Sequence, residues 1–127
     1  MSPHELEGLA SIIDGKALMA RCLNNFDFVE RILTLFQDRC EVELTELDRA
    51  FEAGDLDAVR RIAHRLSGSC ANAAATGLQK RAADLRHSLD ESEMPRAEEC
   101  IAELRAEWNR FSRAMAADRS TPLAIPQ

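Results

Sequence analysis

Apolar residues recur along the chain at alternating three- and four-residue steps, the spacing that lines one face of an α-helix. The longest run is Val29, Leu33, Phe36, Cys40, Leu47 and Phe51, interrupted once by Glu43. It predicts a helix that opens near Asp27, a suitable N-cap. It closes at Ala53-Gly54, where glycine accepts a left-handed C-cap. A second run, Leu56, Val59, Ala63, Leu66, Cys70 and Ala73, follows Asp55 as N-cap. A third begins near Thr76 and carries Leu78, Ala82, Leu85 and Leu89. A fourth opens at Pro95, a residue favoured in a first helical turn, and carries Ala97, Ile101, Leu104, Trp108, Phe111 and Met115. A weaker segment from Asp14 to Leu23 has Ala17, Leu18 and Cys22 on one side, and the turn Asn24-Asn25 follows it.

Each main segment has a single apolar stripe, and the connections between them are short. Consecutive helices are therefore expected to be antiparallel neighbours. The pattern predicts an all-α fold: an antiparallel up-down four-helix bundle with a short additional N-terminal helix, spanning residues 1–117. The first dozen residues are weakly specified. Residues 118–127, DRSTPLAIPQ, carry two prolines and no helical period, and are expected to form a disordered or loosely docked tail.

Composition narrows the class. With 127 residues there is room for one real core and not for two. Aromatic residues are only 5%, with no Tyr, while Ala, Leu, Glu and Arg dominate, which favours helices over short strands. A net charge of −6 disfavours non-specific binding to nucleic acid or to an anionic membrane surface. No stretch approaches the ~18 apolar residues of a membrane span. The N-terminus has no basic segment leading into an apolar run, so no secretory signal is read there. A reduced, cytoplasmic protein is expected, and the starting Met with the aperiodic tail leans toward a free-standing one. Cys22, Cys40, Cys70 and Cys100 form no C-x-x-C pair. His4, His64 and His87 do not flank them at metal-ligand spacing, so neither a metal nor another cofactor is expected.

The chemistry concentrates on the helix after Asp55. Its apolar residues cluster in one sector of the helical wheel, and His64 falls roughly 140° from the middle of that sector. His64 therefore faces outward. On the same face lie Arg60, Ser67, Gly68 and Ala71, with Arg61 and Arg65 alongside. Gly68 in a helix interior costs on the order of 1 kcal/mol relative to Ala, and close approach of another backbone is one reason to keep it. A lone surface histidine is most often a plain solvated residue. Here it stands beside a cleared surface flanked by cations. Neutral imidazole is common near cell pH and its ring nitrogen can attack phosphorus. The chain has neither a phosphate-cradling Gly-rich loop nor a Mg²⁺-binding acidic cluster, so a partner must bring those parts.

The segment AHRLSGSCANAAATGL, Ala63 to Leu78, resembles the signature of histidine-containing phosphotransfer (HPt) domains, close to A-H-x-L-K-G-S-S-A-N-x-G-A-x-x-L. His64 takes the phosphorylated position, and Leu66, Gly68, Ser69, Ala71, Asn72, Ala75 and Leu78 match. Helix order and lengths agree over roughly residues 12–117. The resemblance implies a monomeric bundle that accepts a phosphoryl group from a phospho-aspartyl receiver domain, commonly of a hybrid sensor kinase. It would pass the group to the receiver of a response regulator, with Mg²⁺ and the transfer machinery in the receivers. Three departures from the family stand out. Ser67 stands where Lys is usual, Ala74 where Gly is usual, and Arg86 where a Glu or Gln is often found near the histidine. Arg86 either supplies the charge missing at position 67 or is an ordinary exposed arginine. An apolar docking fringe is expected where the first helix meets the second, with Leu18, Met19 and Phe28 as candidates, each of which is otherwise plain core, and Arg61 and Arg65 are the charged docking candidates.

Two other classes compete. A non-catalytic adaptor would bind receivers without carrying phosphate, and Ser67 favours it. A helical enzyme would need a nucleophile paired with a base, and no such spacing is present.

Overall fold

The computed structural model describes Leu6 and residues 8–120, with side chains to Ala116, and among these residues it is helical with no strand. The five helices are α1 Gly15–Arg21, α2 Phe26–Glu52, α3 Leu56–Asn72, α4 Thr76–Asp90 and α5 Met94–Ser120. The caps explain most of the boundaries. Asp14 accepts the Ala17 N–H at 3.1 Å and Asp55 accepts the Ala58 N–H at 3.1 Å, as their types predict. α2 starts one cap earlier than expected: Asn25, not Asp27, accepts an N–H, from Phe28 at 3.2 Å. Gly54 closes that helix region at φ +73°. α5 begins at Met94 and continues to Ser120, so residues 118–120 are helical, while 121–127 lie outside the described residues.

The apolar stripes meet in one core. Val29, Leu33, Cys40, Leu47, Val59, Leu66, Leu78, Leu85, Leu104 and Phe111 are all buried. Phe36, Trp108 and Phe111 form an aromatic trio between α2 and α5, with ring centroids 5.4–5.8 Å apart. All four cysteines are buried and unpaired.

Polar bonds at the margins of the core fix how the helices lie. Gln37 donates to Ser112 at 3.2 Å, Trp108 Nε1 to Glu41 at 2.6 Å, and Arg105 pairs with Asp48, all between α2 and α5. Arg65 and Ser69 of α3 both donate to Glu43 of α2. That contact accounts for the one polar interruption in the α2 stripe: Glu43 is a buried carboxylate with two donors. Arg60 of α3 bonds to the end of α4, and Arg81 of α4 bonds Glu103 of α5 at 3.4 Å.

The N-terminal residues are better specified than their sequence suggested. Leu6, Leu9, Ile12 and Ile13 are buried in the core cluster. Their segment is bonded to the α3–α4 turn on both sides: the Asp14 N–H to the Ala74 carbonyl at 2.7 Å, and the Gly77 N–H to the Ile12 carbonyl at 3.2 Å. Gly77 is needed there, because a Cβ would sit 2.4 Å from the Ser11 carbonyl oxygen. Arg21, at the end of α1, completes the grip by donating to the Ala71 carbonyl at 2.7 Å. At the centre of this turn Ala74 sits at φ +55°, the left-handed region for which the family's glycine is suited. The strain is about 1 kcal/mol. Its methyl group is buried, which offsets much of that.

Candidate functional site

The site is built on the outer side of α3. Val59, Ile62, Ala63, Leu66 and Cys70 are buried, and this inward commitment turns His64 and Gly68 to the outside, where both are exposed. The His64 imidazole makes no hydrogen bond or ion pair among the described residues. Beside it, a Cβ placed on Gly68 would meet nothing within 4 Å. No packing demand inside the bundle therefore explains that glycine. Ser67 and Ala71 are half-buried. The result is a ring that stands free above a floor of small side chains.

The arginines divide into engaged and free. Arg60 Nε bonds Asp90 Oδ1 at 3.0 Å, Nη1 bonds Asp57 at 3.3 Å and Nη2 bonds the Leu89 carbonyl at 3.2 Å. Arg65 Nε bonds Glu43 at 3.3 Å and Nη2 bonds Glu46 at 3.4 Å. The sequence places both as cations flanking the histidine, and in the fold intrachain carboxylates neutralise them. Arg61 is exposed and Arg86 half-buried, and neither has a partner among the described residues.

The docking candidates also divide. Leu18, expected at the docking fringe, is instead fully buried core, because its side of α1 packs on the bundle. Met19 is half-buried and lines a groove with Leu6, Ile13 and Lys16. Phe28 is 47% exposed. Sequence reasoning missed Leu23 at 88% and Leu35 at 64% exposed. Ile32, Leu35 and Arg39 share a shallow groove with Ser69 and Asn72 of α3, which brings an apolar strip of α2 to the flank of the histidine helix. The signal lay in the Phe28, Ile32, Leu35 spacing, a second helical stripe beside the main one.

Among the described residues no cluster of three metal-ligating side chains occurs, and no helix is long and apolar enough to cross a membrane.

A family model described as the Hpt domain matches residues 31–114, from early α2 to late α5, with His64 inside the span. The chain belongs to the Hpt domain family. No curated protein and no solved structure matches the chain. Membership in the Hpt family implies a phosphotransfer role in two-component signalling. An Hpt domain is a carrier rather than an enzyme with its own substrate pocket, and it works with the receiver domains of response regulators. This Hpt domain presents an exposed imidazole on α3.

Proposed function

We propose that His64 accepts a phosphoryl group from a phospho-aspartyl receiver domain, such as that of a hybrid sensor kinase, and passes it to the receiver of a response regulator. One observation carries the reading: an exposed, unbonded imidazole adjoins the empty volume above Gly68. In the transfer, a ring nitrogen gives its lone pair to phosphorus and the N–P bond forms. The P–O bond to the receiver aspartate breaks, and its electron pair stays on the carboxylate. The reverse step on a second receiver discharges His64. Burial of the docked face excludes water from the reacting group.

The scaffold for this is an up-down four-helix bundle. The cross-helix bonds Arg65–Glu43, Arg60–Asp90, Arg81–Glu103 and Arg105–Asp48 support that order, each joining helices adjacent in it. The docking fringe comprises Phe28 with Met19 at its edge, extended by Leu35. Arg65, bonded to Glu43 and Glu46, lies on the α2 side of the ring, and Arg61, one turn back along α3, is exposed.

The test is incubation with receiver domains carrying ³²P on their aspartate. Label should appear on the wild-type chain as acid-labile, base-stable phosphate and be absent from His64→Gln. Receiver binding without label, unchanged by His64→Gln, would leave the adaptor reading in its place.

A further inference from the structure

We propose that Arg86 binds the phosphoryl group during transfer at His64, an inference that rests on the carrier reading above and names the cation that serves it. The α3–α4 hairpin supplies the geometry. Arg60 of α3 meets Asp90 of α4 at 3.0 Å and the Leu89 carbonyl at 3.2 Å. Four residues on from Arg60 along α3 is His64, and four residues back from Asp90 along α4 is Arg86. Residues four apart share one face of a helix. His64 and Arg86 therefore occupy the same two facing surfaces as Arg60 and Asp90, one turn further along the hairpin. The opposite flank of α4 is spoken for by Arg81 and Ser88, which turn to Glu103, Glu107 and Cys100 of α5.

Arg86 is half-buried, yet it has no carboxylate or carbonyl partner among the described residues. The chain has 22 acidic residues against 16 basic ones, so an uncompensated guanidinium is not forced by a shortage of acids. Arg60, Arg65, Arg81, Arg96, Arg105 and Arg110 each hold an acid. Arg86 is poised for an anion that arrives from outside the chain. A phosphoryl group presents three oxygens of spread negative charge, and the planar guanidinium offers paired N–H donors to two of them. Ser67 can offer only a neutral hydrogen bond from its side.

Phosphoramidate, which phosphorylates imidazoles without a protein partner, loads His64 for the first test. The ³¹P resonance of the phosphohistidine is then followed against pH in wild type, Arg86→Ala and Arg86→Lys. A guanidinium beside the group favours its dianion, so the wild-type midpoint should lie below that of Arg86→Ala, with Arg86→Lys in between. Equal midpoints for wild type and Arg86→Ala overturn the proposal. The second test is single-turnover transfer from a ³²P-loaded receiver over a range of receiver concentrations. Arg86→Ala should lower the saturating rate by roughly 10- to 100-fold, the usual effect of losing one charge-assisted donor to a transferring group. The half-saturating concentration and the melting temperature should stay put, and Arg86→Lys should recover much of the rate. A change confined to half-saturation assigns Arg86 to docking and refutes the proposal. Failure of wild type to hold phosphate on His64 refutes the carrier reading itself, a result distinct from either.

Discussion

Replacing Gly68 by alanine or by glutamine sets folding against transfer. In an exposed helix interior, Gly to Ala relieves about 0.8–1.0 kcal/mol of conformational cost. Nothing beyond the adjoining backbone of α3 lies within 4 Å of the added Cβ, so no clash offsets that gain. The α3 backbone continues as regular helix through Asn72. For a domain of this size, 1 kcal/mol corresponds to a rise in Tm of about 3–5 °C. Glutamine, also a good helix former, should give most of the same gain. The partner sees the opposite effect. On the proposed carrier role, a side chain at position 68 would occupy the volume through which an aspartyl phosphate approaches the His64 ring. A displacement of about 1 Å from the reactive geometry can lower a rate on the order of 100-fold. Thermal melts followed by circular dichroism read the first quantity, and single-turnover transfer from a labelled receiver reads the second. Gly68→Ala should melt higher and transfer more slowly, and Gly68→Gln should be slower still. A Gly68→Gln protein that melts higher and transfers at the wild-type rate would refute the claim that this open space serves docking. A protein that melts lower would refute the claim that the space is unused by the fold.

Gly77→Ala should be destabilising by about 1–3 kcal/mol. Its Cβ would lie 2.4 Å from the Ser11 carbonyl oxygen, and urea denaturation measures the loss. Arg60→Ala should change stability by less than about 1 kcal/mol, because its ion pairs lie at the surface. It should leave the transfer rate close to wild type, because its guanidinium is held by Asp57 and Asp90. The Cys40 thiol has its pKa pushed up, first by its hydrogen bond with Cys70 and then by burial. The unfolded thiol ionises near its ordinary pKa of about 8.5 while the folded one stays protonated, so its contribution is intact below that pH and shrinks above it. Stability should fall by up to about 1.4 kcal/mol per pH unit from this group alone. Cys40→Ala should flatten the alkaline limb of a stability-against-pH curve. Native thiols should also react with an aromatic disulfide reagent only as fast as the protein opens, since all four are buried.

Much of the fold was legible because each long helix carries one clean stripe. The caps at Asp14 and Asp55 and the stop at Gly54 are local events, written in a few adjacent residues. The outward aspect of His64 followed from helical geometry alone. What escaped depends on partners distant in sequence. Leu9, Ile12 and Ile13 lie outside the five helices, and the burial of this segment arises from the α3–α4 turn it covers. Leu18 on a short amphipathic helix looks the same whether its apolar side meets the bundle or a partner, and only the packing separates the two. The same holds for the arginines: the sequence shows Arg60 and Arg65 beside His64 but not that Asp90, Glu43 and Glu46 reach them from α4 and α2.

Those intrachain pairs bear on reversibility. A relay station has to part with its cargo as readily as it takes it, and a deep electrostatic well around the acceptor would turn it into a sink. With Arg60 and Arg65 already satisfied by the chain's own acids, the field felt by an incoming dianion is softened before any partner arrives. For the carrier role proposed for His64, the chain's own ion pairs thus leave release of the group competitive with its retention.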